Sequence, residues 1–206
     1  MANISFILQY FLKPRTTGAI LPSSRFLARK MMANIDFARA ECIVEYGPGT
    51  GVFTREILRA RKSGTKIILI ERNENFFTLL QENFSDEKNV FIYCDSAENI
   101  GTHLAAQGLA HADYIVSGLP FASLPHEISQ NILARTREFL HRDGRFVTFQ
   151  YTLLKKKIFK DYLDLVDIRR EFRNVPPAYV FTFKKKTLGE TFSEEKVSPK
   201  PPSKRL

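Results

Sequence analysis

The stretch that decides the fold is Glu45-Tyr46-Gly47-Pro48-Gly49-Thr50-Gly51. An apolar run over residues 42–46 leads into it with the composition of a buried strand, and a helical pattern over residues 53–60 follows at once. A strand, a tight glycine turn and the N-terminus of a helix let the backbone approach a ligand closely and point free N–H groups at it. The stretch therefore predicts a nucleotide-type binding site at the end of a first strand.

The rest of the chain alternates between strand and helix patterns. This alternation is typical of a Rossmann-like α/β domain with a doubly wound, parallel sheet. Further strands are predicted over residues 66–71, 90–93, 114–117, 145–151 and 179–183. Further helices are predicted over residues 75–83, 97–106, 128–140 and, with a weak apolar face, 155–165. We expect the last strand to enter the sheet antiparallel.

The chain divides into three parts. Residues 1–40 form a predicted N-terminal helical extension, residues 41–186 the α/β domain, and residues 187–206 a basic tail that we expect to be disordered because it has little to bury. In the extension, residues 25–32 follow the helix-capping residue Ser23 or Ser24, and residues 4–12 form an amphipathic helix. The amphipathic helix is far too short for a hydrocarbon core of about 30 Å, so it either covers the domain's own cleft or lies on a membrane.

The formal net charge of the chain is +9, and the excess is concentrated near the N-terminus. A basic surface of this kind favours polyanions, which means nucleic acid phosphates or an anionic membrane. The first 40 residues hold one acidic residue, Asp36, against Lys13, Arg15, Arg25, Arg29, Lys30 and Arg39.

The cysteines and the N-terminal pattern favour an intracellular protein without a metal site. Cys42 and Cys94 lie inside apolar runs, where a free thiol behaves as a small hydrophobic group, so we predict structural thiols and no metal ligands. The charges Lys13 and Arg15 follow the first apolar stretch instead of preceding it, unlike those of a signal peptide. We therefore expect a cytoplasmic location.

The carboxylate of Glu45 distinguishes the glycine loop from a dinucleotide cradle. It would repel a pyrophosphate but suits an ammonium, and Val52 occupies the position of the third glycine in the dinucleotide fingerprint. S-adenosylmethionine carries an ammonium on its amino-acid end. Glu71 ends the second strand twenty residues after Gly51, where a carboxylate can accept hydrogen bonds from both ribose hydroxyls.

Polar groups also follow the third and fourth strands. Asp95-Ser96 can meet the exocyclic amine and ring edge of adenine, and the stretch over residues 117–121 lies beside the methyl group. All these groups fall at the carboxyl ends of successive parallel strands, where open α/β sheets bind ligands. The predicted cofactor-binding residues are Glu45, Tyr46, Gly47, Gly49, Thr50, Glu71, Arg72, Asp95, Ser96 and Ser117.

With these motifs in this order, residues 41–183 resemble the class I S-adenosylmethionine-dependent methyltransferases, whose first motif is E-x-G-x-G-x-G. The resemblance implies a methyltransferase with S-adenosylmethionine as its cofactor. It also implies a mostly parallel, seven-stranded sheet with an antiparallel last strand and helices on both faces.

The fourth-strand motif bears on the methyl acceptor. Methyltransferases that act on adenine or glutamine amide nitrogens usually place Asn, Asp or Ser two residues before its proline, and this chain has Gly118 there. The stretch Gln9-Tyr10-Phe11-Leu12 is nevertheless similar to the Q-x-F-L of ribosomal RNA adenine dimethylases. Methylation of RNA adenine therefore stays an alternative, drawing on the basic surface for phosphate contacts.

A closer resemblance is to the bacterial phospholipid N-methyltransferases. Three segments carry it: Thr17-Gly18-Ala19-Ile20-Leu21-Pro22-Ser23-Ser24, Ser117-Gly118-Leu119-Pro120 and Val175-Pro176-Pro177-Ala178. That family methylates phosphatidylethanolamine at the membrane surface, which it reaches with an amphipathic N-terminal helix. The resemblance implies an aminolipid acceptor and a peripheral, monomeric enzyme on the inner face of the membrane. A non-catalytic cofactor-binding or membrane-binding module is a third alternative.

An alkyl amine must lose a proton before it can attack a sulfonium, so an aminolipid methyltransferase needs a base and a dry pocket. The candidate bases are Tyr10, Tyr46 and His126. Phe121 can also hold a methylated, cationic product by a cation–π contact. The predicted substrate-binding residues are Gly118, Leu119, Pro120 and Phe121 in the pocket, and Lys13, Arg15 and Arg25 for the lipid phosphate or the anionic surface.

Overall fold

A computed structural model describes residues 23–152, 156–174 and 176–186. The strands are β1 (Cys42–Tyr46), β2 (Lys66–Glu71), β3 (Val90–Cys94), β4 (Ala112–Ser117), β5 (Leu140–Gln150), β6 (Leu163–Glu171) and β7 (Ala178–Lys185). The helices are α1 (Ser23–Met32), α2 (Val52–Ala60), α3 (Glu74–Phe84), α4 (Ile100–Ala106), α5 (His126–Phe139) and α6 (Lys156–Lys160), with a 3-10 turn, Ala97–Asn99, directly before α4.

The seven strands form one sheet in the order β3-β2-β1-β4-β5-β7-β6. Strands β1 to β5 are parallel to one another, and β7 is antiparallel to both β5 and β6. The predicted Rossmann-like architecture, with its antiparallel last strand, is therefore confirmed. In this register Tyr46 lies opposite Ile70 on one side and Ser117 on the other, so the polar ends of three strands are level.

The prediction of a helix over residues 155–165 was wrong for its second half. Among the described residues of this range only α6 is helical, and residues 163–171 form the edge strand β6, the seventh strand that the sequence pattern did not locate. An edge strand pairs on one side alone and exposes much of its length, so β6 carries charged residues where a central strand has an apolar run. Its composition therefore resembles that of a surface helix.

Apolar cores cover both faces of the sheet. Residues of β1 alternate between them, with Val44 and Tyr46 in one core and Ile43 in the other. Because β1 is buried on both faces, its sequence is a nearly continuous apolar run. Helix α1 belongs to the second core through Leu27 and Met31, so this part of the predicted extension packs directly on the domain.

The N-terminal residues 1–22 and the tail beyond residue 186 lie outside the described residues. The predicted amphipathic helix, the predicted disorder of the tail and the predicted bases and cations Tyr10, Lys13 and Arg15 therefore stay predictions. Within the described ranges, none of the helices is both long and apolar enough to cross a bilayer.

One ionisable side chain is enclosed in the packing between β1 and α2. Glu45 is fully buried, and its Oε2 accepts a hydrogen bond of 2.7 Å from the hydroxyl of Thr54, which is also buried. Burial raises the pKa of Glu45 from 4.5 to about 8; the hydrogen bond from Thr54 opposes this rise and the charge of Glu71 adds to it. Glu45 is therefore mostly protonated at neutral pH.

We expect Glu45→Gln to remove a pH dependence of stability. In the wild type, the folded state keeps a proton that the unfolded state releases, so the contribution of Glu45 is complete below pH 4.5 and is lost as the pH rises towards 8. The glutamine variant should gain stability relative to wild type over this range, by at most a few kcal/mol. Urea unfolding at pH 5 and pH 8, without cofactor, measures the difference.

The matched control is Glu82→Gln, which changes an exposed glutamate on α3. Its offset from the wild type should be the same at both pH values. An equally constant offset for Glu45→Gln would show that Glu45 is not protonated in the folded state.

Candidate active site

Backbone hydrogen bonds join the carboxyl ends of the central strands into one row. The N–H of Gly47 donates to the carbonyl of Ile70 over 2.9 Å, and the N–H of Gly118 donates to the carbonyl of Tyr46 over 2.9 Å. The row continues from β2 to the end of β3 through a bond of 3.2 Å from an N–H at residue 95 to the carbonyl at residue 71. The structure thus brings together the four strand ends on which the predicted cofactor residues lie.

The glycine loop needs glycine at each of its three positions. Gly47, Gly49 and Gly51 have φ angles of 60°, 56° and 76°, in the left-handed region that side chains disfavour. A Cβ at Gly47 would lie 2.8 Å from the side chain of Leu119, whereas one at Gly49 would meet nothing within 4 Å. The loop therefore packs against Leu119 at its first glycine and has free space beside its second.

Glu71 braces this loop from the neighbouring strand. Its Oε2 accepts a hydrogen bond of 3.0 Å from the N–H of Gly49, and its Oε1 accepts one of 2.8 Å from the N–H of Asn73. Asn73 in turn caps α3 through its side chain. Burial raises the pKa of Glu71, although these N–H groups oppose the rise. The next residue, Arg72, is exposed beside it.

Asp95 follows β3 and is held by three donors. Its carboxylate accepts hydrogen bonds from the N–H of Ser96 at 2.7 Å and from Asn99 at 2.9 Å, and it lies 2.9 Å from Nε2 of His103. Burial favours the neutral form, but these partners outweigh it and lower the pKa of Asp95. The side chain is one-third exposed, at 33%, so the fixed carboxylate remains accessible.

His103 was missed by the sequence reasoning. Its ring is buried on α4 and stacks on Tyr93 with the ring centroids 4.0 Å apart. A histidine eight residues after an aspartate has no recognisable spacing, so the sequence holds no signal for this pair. Gln150, also missed, ends β5 and donates from Nε2 to the carbonyl of Leu119 over 3.3 Å. Like Glu71, it is a polar residue at the end of an apolar strand, so the same sequence signal could have identified it.

The turn after β4 is tightly built. The hydroxyl of Ser117 is buried and accepts a hydrogen bond of 3.2 Å from the N–H of Leu119. A Cβ at Gly118 would lie 2.6 Å from the carbonyl oxygen of Gly47, so this position has no room for a side chain. Leu119 and Pro120 are half-buried beside it.

Phe121 does not line an open pocket, contrary to the prediction. Its ring is 1% exposed and packs edge-on against Phe159 at 5.1 Å and Phe146 at 6.2 Å between centroids. The ring fills the core under β5 and offers no free face to a cation. Phe121 is therefore a packing residue in this structure.

The candidate bases Tyr46 and His126 lie in different environments. Tyr46 is fully buried on the face opposite Glu45, with its hydroxyl 3.4 Å from that of Thr136, and burial raises its pKa further above the ordinary phenol value. It is thus in the core and cannot reach an acceptor in the cleft. His126 is exposed at the start of α5, and Arg25 is exposed on α1.

The surroundings of the glycine loop fit S-adenosylmethionine in two respects. Gly49 has open space above it, and the adjacent N–H groups of a helix N-terminus suit a carboxylate. Oε1 of Glu45 is buried and has no hydrogen-bond partner among the described residues, so it can accept a bond from an ammonium. Across those same residues, no three His, Cys, Asp or Glu side chains are grouped to hold a metal ion.

The sequence matches known methyltransferases over most of its length. Residues 19–161 match the family model described as ribosomal RNA adenine dimethylase. The chain is also 29% identical over 174 residues to the ornithine lipid N-methyltransferase of Singulisphaera acidiphila, a match that covers 84% of this chain and 91% of that protein.

Solved structures with this fold include two other methyltransferases. The N-methyltransferase NodS from Bradyrhizobium japonicum WM9, in complex with S-adenosyl-L-homocysteine, has a TM-score of 0.68 at 10% identity and covers 87% of this chain and 98% of its own. The 1,6-didemethyltoxoflavin-N1-methyltransferase of Burkholderia thailandensis has a TM-score of 0.66 at 16% identity and covers 89% and 87%. These likenesses show the fold.

The family match spans well over half of the chain and includes the glycine loop and all four strand ends. It confirms the prediction of a methyltransferase that uses S-adenosylmethionine. The chain belongs to the ribosomal RNA adenine dimethylase family, within the class I S-adenosylmethionine-dependent methyltransferases.

Proposed function

We propose that this enzyme transfers a methyl group to the primary amine of a membrane aminolipid, either phosphatidylethanolamine or an ornithine lipid. The observation that carries the proposal is the turn after β4. Gly118 lacks the side-chain amide that adenine methyltransferases use to hold a planar amine, and the carbonyl of Gly47 leaves no room for one. The likeness to an ornithine lipid N-methyltransferase over 84% of the chain supports an aliphatic amine as acceptor.

The cofactor contacts follow from the strand ends. In our proposal, Glu71 accepts hydrogen bonds from the ribose hydroxyls through lone pairs that Gly49 and Asn73 leave open. Asp95 and Ser96 meet the adenine amine and ring edge, and the loop over residues 47–50 receives the amino-acid end. When bound, S-adenosylmethionine supplies a methyl group activated by a sulfonium.

The protein's task in the transfer is positioning and exclusion of water. The acceptor amine must be neutral, oriented for in-line displacement and desolvated. Leu119 and Pro120 give the turn an apolar surface, and Gln150 fixes it by its bond to the carbonyl of Leu119. Tyr46 is too deeply buried to take the proton, so Tyr10 and His126 stay the candidate bases.

RNA adenine methylation is the second candidate function, favoured by the family model that matches residues 19–161. Both candidates use the same cofactor site and differ only in the acceptor. The aminolipid proposal places the enzyme on the inner face of the membrane, whereas the RNA alternative requires no membrane contact.

We expect cells that produce the enzyme to accumulate mono-, di- or trimethylated aminolipids. Mass spectrometry of lipid extracts, in hosts that contain phosphatidylethanolamine or ornithine lipid, measures them directly. Cells that produce Glu71→Ala are the matched control for expression and should lack these lipids. Unchanged lipids together with newly methylated adenine in ribosomal RNA would replace the proposal with its alternative.

We expect Glu71→Ala to abolish measurable binding of S-adenosylhomocysteine in calorimetry. The change removes a ribose ligand and also the brace on Gly49, and losing a charged hydrogen-bond partner alone costs about 1.5–3 kcal/mol, or roughly tenfold to a hundredfold in affinity. Glu82→Ala removes the same group from an exposed position on α3 and should bind normally. Equal affinities would exclude Glu71 from the site.

We expect Gly118→Ala to destabilise the fold by about 1–3 kcal/mol, the usual cost of overpacking, and to weaken cofactor binding by displacing the glycine loop. The new methyl group must push apart the ends of β1 and β4. Gly64→Ala is the control, since a Cβ there meets nothing within 4 Å. Normal affinity and activity of Gly118→Ala would show that this turn does accept a side chain.

A further inference from the structure

The turn between β6 and β7 lies at the same edge of the sheet as the cofactor loops. Gln150, which ends β5 and contacts Leu119, is paired with Tyr179 at the start of β7. Glu171, the last residue of β6, is paired with Ala178. Since β4 and β6 are three strands apart in the sheet, the turn is about 14 Å to the side of the Gly118 turn.

A large aromatic side chain protrudes from this turn. Phe172 is 67% exposed, and among the described residues Val166 is the other large apolar side chain in the exposed class. The guanidinium of Arg170 lies over the ring of Phe172 at 4.5 Å and over that of Tyr179 at 5.3 Å from the centroid. Phe172 is therefore held in place by a cation while remaining open to the surroundings.

Ion pairs with a buried carboxylate hold the base of the turn against α1. The carboxylate of Glu171 is 2% exposed and lies 3.0 Å from Nζ of Lys30 and 3.2 Å from Nε of Arg173. Burial opposes ionisation, but these partners and the N–H of Arg173 hold its pKa down at about 2. Arg173 also lies 4.1 Å above the ring centroid of Phe26 on α1. The turn and α1 are thus joined into one unit.

This unit carries a concentrated positive charge. Its two carboxylates, Asp167 and Glu171, are both paired with its own cations. We call it the docking surface, and it consists of the exposed ring of Phe172, the arginines Arg170 and Arg173 on either side of it in the chain, and Arg25, Arg29 and Lys30 on α1. A protruding aromatic ring on a basic turn matches the boundary between anionic head groups and acyl chains.

We propose that the docking surface binds an anionic membrane, with Phe172 inserted among the head groups and the arginines on lipid phosphates. The inference rests on the proposed function in one respect, since an aminolipid acceptor is a component of the membrane. Binding in this orientation turns the cofactor edge of the sheet towards the bilayer.

The chemistry of the docking surface favours a membrane over RNA. Non-specific binding of single-stranded nucleic acid uses successive aromatic rings along a basic groove. Here a single exposed ring stands on a hairpin turn, and a guanidinium of the same chain covers one of its faces. A single apolar group surrounded by cations suits insertion at a lipid interface.

The test is flotation of the full chain with vesicles of phosphatidylglycerol and phosphatidylethanolamine. We expect Phe172→Ser to weaken binding about tenfold and Arg170→Gln about fivefold. Val166→Ser removes an exposed apolar residue from the middle of β6, five residues before Glu171, and Arg142→Gln removes an exposed arginine from the amino end of β5, so both controls should bind like wild type. S-adenosylhomocysteine binding checks that each variant is folded.

Equal flotation of all five proteins would overturn the docking surface. So would normal flotation of Phe172→Ser and Arg170→Gln combined with weakened binding to a ribosomal RNA hairpin, which would assign the surface to RNA. Flotation requires no methyl transfer, so the expected losses would support the docking surface even in a protein that methylates no aminolipid. That absence of aminolipid methylation would refute the proposed function but not the docking surface.

Discussion

The contact between the ends of β1 and β4 is the constraint on which the site depends. There the N–H of Gly118 bonds to the carbonyl of Tyr46, and the carbonyl of Gly47 occupies the space that a side chain at Gly118 would need. This approach of two backbones fixes the start of the glycine loop and positions the turn that, in our proposal, faces the methyl acceptor. It also excludes a side chain at Gly118, so the proposal makes the same atoms responsible for the cofactor loop geometry and for the choice of acceptor.

The three carboxyl groups near the glycine loop differ in burial, in hydrogen bonding and in pKa. Glu45 is enclosed under α2 and mostly neutral, Glu71 braces Gly49, and Asp95 is held as an anion by neighbouring donors. The pKa is thus raised for Glu45 and Glu71 and lowered for Asp95, because burial and hydrogen-bond donors act on each residue in different proportion. Only Asp95 keeps a substantially exposed carboxylate before the ligand arrives.

Most of the fold and the location of the site could be predicted from the sequence, because apolar strands ending in Glu71, Asp95 and Ser117 carry a strong periodic signal. Strand β6 could not, since its exposed edge gives it the composition of a helix. The direction of a side chain at a strand end is also beyond such patterns. Glu45 and Tyr46 are adjacent on β1, but their side chains lie on opposite faces of the sheet, because side chains alternate along a strand.

Helix α1 and the turn after it are held partly by strands β6 and β7. Lys30 donates to the carbonyl of a residue 140 positions later, at 2.7 Å, and Asn34 bonds to Thr182 on β7 over the same distance. A ribosome therefore completes α1 long before it makes the strands that hold it. Folding of the domain during translation is delayed by contacts of such high sequence separation, and it finishes only when the final hairpin has emerged.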